Sequence, residues 1–452
     1  MSHRMSSLDY ERSIKTMLHT AFNNGLRSCE TECHEIITTL VDAKHPIPRF
    51  GHFIWVGDVN RLDTSYIKVW IETNKEMQFL LWHHNDVAFC HKFHDILFKH
   101  VKENNPDNFE DSLVNLQNEA FAFIYPRIDG DHNFNELAIE FLRMNNFIAS
   151  EYGGDSSVMP LVSADDIVLM NVDDLFEGEF LSFKKLYYYE VILRGNLACA
   201  SDIIRLIILY KFGGIYLDVD TLPEVDYIFS ETNKFLEEIS VPHNEFIIAA
   251  KTHALVEKIL NKEGEVNNCL EGLFPARDDV RNALSSAISR DVEIAMAKDI
   301  NPLTAVFCYP DLIALSSLSF IPGAYFSNVI CSCSGSRFLR IVLRVIKKRY
   351  RYLEKNNALS VCVREPSDKD YLGRLLPYRY EPIIKDGAVT LSLTGPGVIF
   401  EVLLGLFYQL FKIDESYSPD FLAKFIQNDA FGIAFFDHTL YTPLGLLSTW
   451  LD

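Results

Sequence analysis

The chain has 452 residues, with 62 acidic against 42 basic side chains and a formal net charge of −20. That balance argues against nucleic acid as a partner, because phosphates need a basic footprint, and limits contact with anionic lipid to a local, peripheral one. Apolar residues make up 48% and aromatics 13%, which is ample for a core and too apolar for intrinsic disorder.

Nine cysteines, scattered from Cys29 to Cys362 without a regular framework, predict a reducing compartment rather than a disulfide scaffold. Residues 1–13 are charged and lack an apolar run, so no classical signal peptide is expected. The longest apolar stretch, 398–411, contains Glu401 and Gln409 and is short for a transmembrane segment. A soluble globular protein is the expectation.

Residues 1–45 space Leu18, Phe22, Leu26 and their neighbours at helical intervals and are expected to be a helical segment, either packed on the body or serving as a docking appendage. Residues 46–452 are expected to be one catalytic domain with helical insertions at about 257–353. Ile47–Gly57 reads as a buried strand stopped by glycine. A polar amphipathic stretch runs to Trp70, and a second apolar run covers Met77–Trp82. Strand, helix, strand opens a parallel α/β sheet, in which ligands gather at the carboxyl ends of the strands. Further strands are expected at Phe121–Tyr125, Ile167–Met170 and Phe246–Ala250, helix between Glu257 and Arg290, and a basic amphipathic helix over Phe338–Leu353.

The segment Arg194–Asp220 carries the chemistry. Leu197–Tyr210 is apolar nearly all round, the pattern of a core helix, interrupted by Asp202 and Arg205 one turn apart on one face. Buried charges need partners, so these two form either a self-contained ion pair or a pair presented to a polar ligand. Gly213-Gly214 supplies the helix exit, and Ile215–Asp220 follows as a strand whose period of two would put Asp218 and Asp220 on one face. Adjacent carboxylates with hard oxygen donors suit Mg²⁺ or Mn²⁺ bridging to phosphate. Asp129-Gly130-Asp131 and Asp368-Lys369-Asp370 share the spacing but sit in polar, turn-like contexts, so solvated loops explain them.

Asn196-Leu-Ala-Cys-Ala-Ser-Asp202-Ile-Ile-Arg205 followed by Gly213-Gly-Ile-Tyr216-Leu-Asp218-Val-Asp220-Thr-Leu-Pro223 resembles the catalytic domain of the large clostridial cytotoxin glucosyltransferases. The likeness is strong over 187–225 and extends to 47–86. It implies a GT-A α/β fold and a retaining, metal-dependent glycosyltransferase. Such an enzyme would move a hexose or N-acetylhexosamine from a UDP-sugar (UDP-glucose or UDP-N-acetylglucosamine) to a hydroxyl. By the same likeness the acceptor would be a host protein such as a small GTPase, and the chain a bacterial effector acting in host cytosol.

The resemblance also assigns roles. Asp220 would ligate Mn²⁺ or Mg²⁺, and Asp218 would contact the donor ribose and sugar beside the metal. Asp202 and Arg205 would hold sugar hydroxyls, while Asn196 and Tyr216 line the donor site and Trp55 stacks on uracil. Ser448 and Trp450 would approach the metal and the leaving phosphate. Where the toxins carry a glutamate, three residues before that serine, this chain has Gly445, and His438 is the candidate to complete the metal shell. Thr394-Gly395-Pro396 resembles a turn of the wider superfamily.

Other chemistries fit less well. A glycoside hydrolase of the Asp-x-Asp-x-Glu type needs its acid where Leu222 stands. Neither Cys29, Cys33 and His34 nor Cys90, His91 and His94 has paired zinc-ligand spacing. A transferase building glycans, and a nucleotide-sugar-binding module that has lost turnover, remain the alternatives.

Overall fold

The computed structural model describes residues 45–128, 132–148, 167–221, 228–241, 245–260, 270–271, 274–296, 306–309, 311–317, 323–410, 412–427 and 434–437, together with positions 12, 15, 16, 18, 19, 22 and 23. Strand β1 (Phe50–Val56) leads through helix α1 (Ser65–Thr73) to β2 (Gln78–His84), which lies parallel to β1 with Phe53 opposite Leu81. Strand β3 (Val168–Asn171) adds in parallel to the far edge of β2, and β4 (Gly214–Leu217) adds in parallel to β1. The sheet continues through β6 (Tyr325–Ser332), antiparallel to β4, then β5 (Ala314–Ser317) and β7 (Ala434–Asp437). Its order is β3-β2-β1-β4-β6-β5-β7. The four parallel strands β1 to β4 finish at one rim, where an open α/β sheet places its ligands.

Helices α2 (Cys90–Asn104), α3 (Phe109–Ile124), α4 (Phe134–Met144), α5 (Leu181–Tyr188) and α6 (Leu197–Phe212) precede β4. After it come α7 (Ser230–Glu238), α8 (Glu245–Leu260), α9 (Asp278–Met296), α10 (Arg337–Lys355), α11 (Ala388–Leu393), α12 (Pro396–Leu410) and α13 (Pro419–Ile426). The largest apolar cluster is centred on α6, where Ile203, Ile204, Leu206, Ile207, Ile208 and Leu209 are fully buried. Burying each of these is worth roughly 1.5–3 kcal/mol, so the helix that carries Asp202 and Arg205 is among the best anchored in the chain. A separate cluster joins α1 to α7, α8 and α9.

The expected strands at 121–125 and 246–250 are helical instead. Phe121–Ile124 finishes α3, and Phe246–Ala250 lies inside α8. A run of four or five apolar residues is compatible with either state; in α3 the buried Leu113, Val114, Gln117, Ala120 and Ile124 recur at helical spacing. The basic helix expected over 338–353 is α10. Among the described residues of 257–290, α8 ends at Leu260 and α9 begins at Asp278.

Near the amino terminus, Leu18 is buried in the main core, and the Phe22 ring meets Tyr417 and Phe421 edge-on at 4.8 and 5.5 Å. Among the described residues one helical stretch, Ala388–Gln409, is long and apolar enough to cross a membrane. Here Val398, Ile399, Leu403 and Phe407 bury one side of it in the main core.

Candidate active site

The site begins with the ends of α6. Asn196 caps its start, accepting from the Cys199 amide at 2.9 Å, while its own amide nitrogen donates to Thr390 Oγ1 at 2.7 Å. At the other end the chain must turn straight into β4. Gly213 and Gly214 do this at φ +67° and +96°, and a Cβ on them would fall 2.6 Å from the Ser334 nitrogen and 2.5 Å from the Phe50 oxygen. Both conformation and space therefore require glycine. The buried His52 ring locks the turn through a 2.8 Å contact with the Gly213 carbonyl, and burial pushes its pKa down to about 4.

Strand β4 stops at Leu217, so Asp218 and Asp220 do not alternate along a strand as expected. They sit in a turn at the rim, closed by the Thr221 amide donating to the Asp218 carbonyl at 3.1 Å. The strand ladder is broken here because the backbone folds back on itself. Trp70 holds the turn from one side, donating to the Thr221 carbonyl at 2.7 Å. Asn328 holds it from the other, accepting from the Asp218 amide at 2.8 Å and donating from its side chain to Thr221 Oγ1 at 3.3 Å. Ser316 in turn donates to Asn328 Oδ1.

Asp202 and Arg205 form the expected pair at 2.9 Å, with each side chain 9% exposed. The pair is not self-contained. The second Asp202 oxygen accepts from Thr394 at 2.9 Å. Arg205 donates to the Ser327 carbonyl at 2.9 Å, covers the Tyr216 ring at 4.4 Å and lies 3.7 Å from Asp218 Oδ1. The Tyr216 hydroxyl donates to that same oxygen. Burial pushes the Asp202 carboxyl up to about 6, against the pull of Arg205 and Thr394. Burial would by itself lower Arg205, but Tyr216, Asp202 and Asp218 outweigh it and keep the guanidinium charged. The result is a fixed positive group beside Asp218, whose side chain is 30% exposed and whose Oδ2 has no hydrogen-bond partner among the described residues.

Residues 51–372 match the TcdA/TcdB catalytic glycosyltransferase domain. The chain belongs to this family. It is a glycosyltransferase, and its fold is of the GT-A type. Cytotoxin-L of Paraclostridium sordellii is 21% identical over 411 residues, 80% of this chain, and the chain spans only 17% of that relative's length. The catalytic domain of alpha-toxin from Clostridium novyi superposes with a TM-score of 0.70 at 17% identity, covering 100% of this chain and 91% of that domain. The UDP-bound glycosyltransferase domain of the YGT toxin gives a TM-score of 0.56 at 18% identity, covering 82% of each chain.

Of the site residues expected from sequence, the family fold brings Asp202, Arg205, Tyr216 and Asp218 into one hydrogen-bonded unit, with Asp220 in the same turn. Trp55 is half-buried at the carboxyl end of β1, its indole N–H fixed to the Asp58 carbonyl at 2.8 Å. Asn196 has both ends of its amide held by the protein, so it sets the start of α6. His438, Gly445, Ser448 and Trp450 lie outside the described residues, as does the 129–131 Asp-Gly-Asp. Asp368 and Asp370 are exposed, the latter capping a short helix through the Leu372 amide. Cys90 and His94 both point at the Val191 carbonyl, at 3.4 and 2.8 Å, and do not form a zinc site.

Sequence reasoning missed Ser327, Asn328 and Trp70, which carry no motif and act through long-range hydrogen bonds. It also missed a buried network behind the site. Arg194 lies between Glu190, at 2.9 Å, and Glu381, with which it also pairs, and it stacks on Tyr378 at 4.4 Å. Tyr350 and Tyr378 donate to the other Glu190 oxygen at 2.6 and 2.7 Å. Glu381 accepts from Thr390, which ties α11 to Asn196 and places Thr394 against Asp202.

Proposed function

We propose that the chain is a retaining, metal-dependent glycosyltransferase that moves a hexose or N-acetylhexosamine from a UDP-sugar to a hydroxyl of a host protein. The observation that carries this reading is the Asp218 carboxylate at the sheet rim, with one oxygen held by Tyr216 and Arg205 and the other left for a ligand. Asp218 and Asp220 offer the hard oxygen donors that Mn²⁺ or Mg²⁺ takes, and they are the residues that would hold it. Bound there, the cation would supply Lewis-acid neutralisation of the departing diphosphate.

In this mechanism Asp218 orients the donor's ribose and sugar, and Arg205 and Asp202 hold sugar hydroxyls. Each Asp202 oxygen keeps a lone pair beyond its present bond. The bond from the anomeric carbon to the diphosphate oxygen breaks, positive charge develops on the sugar, and the fixed carboxylates stabilise it. The acceptor hydroxyl attacks from the leaving-group face and passes its proton to the diphosphate, so the anomeric configuration is retained. Trp55 stacks on the base, with its indole already fixed by Asp58. Host protein as acceptor, a small GTPase among the candidates, and delivery to host cytosol are extended from the toxin relatives.

The test is UDP release from UDP-glucose, UDP-galactose and UDP-N-acetylglucosamine, with Mn²⁺ and with chelator. It is run on the native chain and on Asp218→Asn combined with Asp220→Asn. Metal-dependent release from one donor, abolished in the double variant, is the expected result. Release from none, together with no calorimetric UDP binding, would leave only a nucleotide-sugar fold without turnover.

A further inference from the structure

A second group of ligand-type side chains lies on the same rim, away from the aspartate turn. His84 ends β2, Asp86 follows it, and Asp173 sits just past the end of β3. The sheet order puts β1 between these strands and β4. At the usual strand spacing of about 4.8 Å, β2 is therefore roughly 10 Å from β4. One imidazole nitrogen and one oxygen from each carboxylate lie within 4.8 Å of one another.

His84 is 1% exposed. Its Nδ1 is 2.6 Å from the hydroxyl of the buried Tyr187, which fixes the ring orientation. Its Nε2 points at Asp173 Oδ2, 3.2 Å away, yet makes no hydrogen bond. Asp173 Oδ1 is likewise buried and without a hydrogen-bond partner, the Lys184 ammonium standing off at 3.6 Å. These buried atoms face opposite charges without close hydrogen bonds, which leaves their lone pairs open to a cation.

We propose that His84, Asp86 and Asp173 bind a divalent transition-metal ion of the Zn²⁺ class, separate from the metal expected at Asp218 and Asp220. An imidazole with two carboxylates suits such an ion and not Mg²⁺, which prefers an all-oxygen shell. A ring held at one nitrogen by a polar group while the other faces the carboxylates matches the outer-shell support of metal-binding histidines. Ligands about 2.0–2.2 Å from a tetrahedral metal lie about 3.3–3.6 Å apart, so donors within 4.8 Å of one another would draw in by up to about 1 Å on binding. The ion would join the ends of β2 and β3, fastening the sheet edge beside the donor-binding rim.

The test uses the full chain carrying Asp218→Asn and Asp220→Asn, stripped with chelator and titrated with Co²⁺ alone by absorption spectroscopy and calorimetry. One equivalent is expected, with the visible bands of a nitrogen and oxygen shell. Asp173→Asn and Asp86→Asn, each added to that background, are expected to weaken uptake at least about tenfold while circular dichroism stays native. Both positions are half-exposed, which spares the buried His84. Zn²⁺ is expected to raise the melting temperature of the background chain and not that of the Asp173→Asn chain. No uptake, uptake indifferent to Asp173→Asn, or a thiolate charge-transfer band marking cysteine binding would each overturn the proposal.

Discussion

Replacing Asp202 with asparagine separates what the buried pair does for folding from what it does for catalysis. Burial outweighs both Arg205 and Thr394, so the carboxyl titrates at about 6 instead of its ordinary 3.8. Between those values the folded chain binds more protons than the unfolded one. The stability this group contributes is therefore full below about 3.8 and is lost as pH rises through about 6. Roughly two pH units at about 1.36 kcal/mol each make that loss about 3 kcal/mol.

Asparagine imitates the neutral acid without losing a bond. Its oxygen accepts from Arg205 and its nitrogen donates to Thr394 Oγ1, which turns its proton to Cys199 Sγ at 2.9 Å. Asp202→Asn is thus expected to match the native chain near about pH 4 and to exceed it near about pH 7, by up to about 3 kcal/mol. Urea midpoints of both chains, compared at each pH, isolate this group because every other carboxylate is shared. Transferase activity is expected to fall by about a hundredfold or more, as when a preorganised electrostatic group is removed. A variant less stable than native near neutral pH by about 3–5 kcal/mol, the cost of stripping one partner from a buried pair, would refute the reasoning.

Tyr216→Phe removes a hydrogen bond to the Asp218 carboxylate worth about 1.5–3 kcal/mol. Turnover should drop by about tenfold to a hundredfold and the melting temperature should fall, and an unaffected kcat/KM would detach Tyr216 from the site. Gly213→Ala forces a side chain into a left-handed backbone 2.6 Å from the Ser334 nitrogen. It should cost about 1–3 kcal/mol by thermal unfolding, and native behaviour would show that the turn can shift. Arg194→Met strips Glu190 and Glu381 of their shared buried cation. A loss of about 3–5 kcal/mol is expected, read as a lowered urea midpoint and reduced soluble yield; a native midpoint would show that the shared cation adds nothing to stability.

What could be read from the sequence follows from where each constraint lies along the chain. The Asp202–Asp220 unit was legible because its constraints are local. A core helix must be apolar all round, two charges one turn apart must share a face, and a helix that turns straight into a strand needs glycine at both positions. The same locality explains the error inside it. A period of two was extended to Asp220, but β4 ends at Leu217 because Asn328 and Trp70, distant in sequence, capture the next residues in a turn. Phe121–Tyr125 and Phe246–Ala250 failed for the related reason that short apolar runs take the structure of whatever packs against them. Arg194 stood at the head of the informative segment, yet its partner Glu381 lies 187 residues away. Glu190, four residues before it, is a local partner, but no local pattern announces the second counter-charge from the other end of the chain. The side chains of the proposed site are thus written in a contiguous motif, while the groups that hold them rigid are spread along the chain. A motif match alone therefore points to the candidate centre and says nothing of its support, which is why Arg194→Met probes a part of this enzyme that the motif does not reveal.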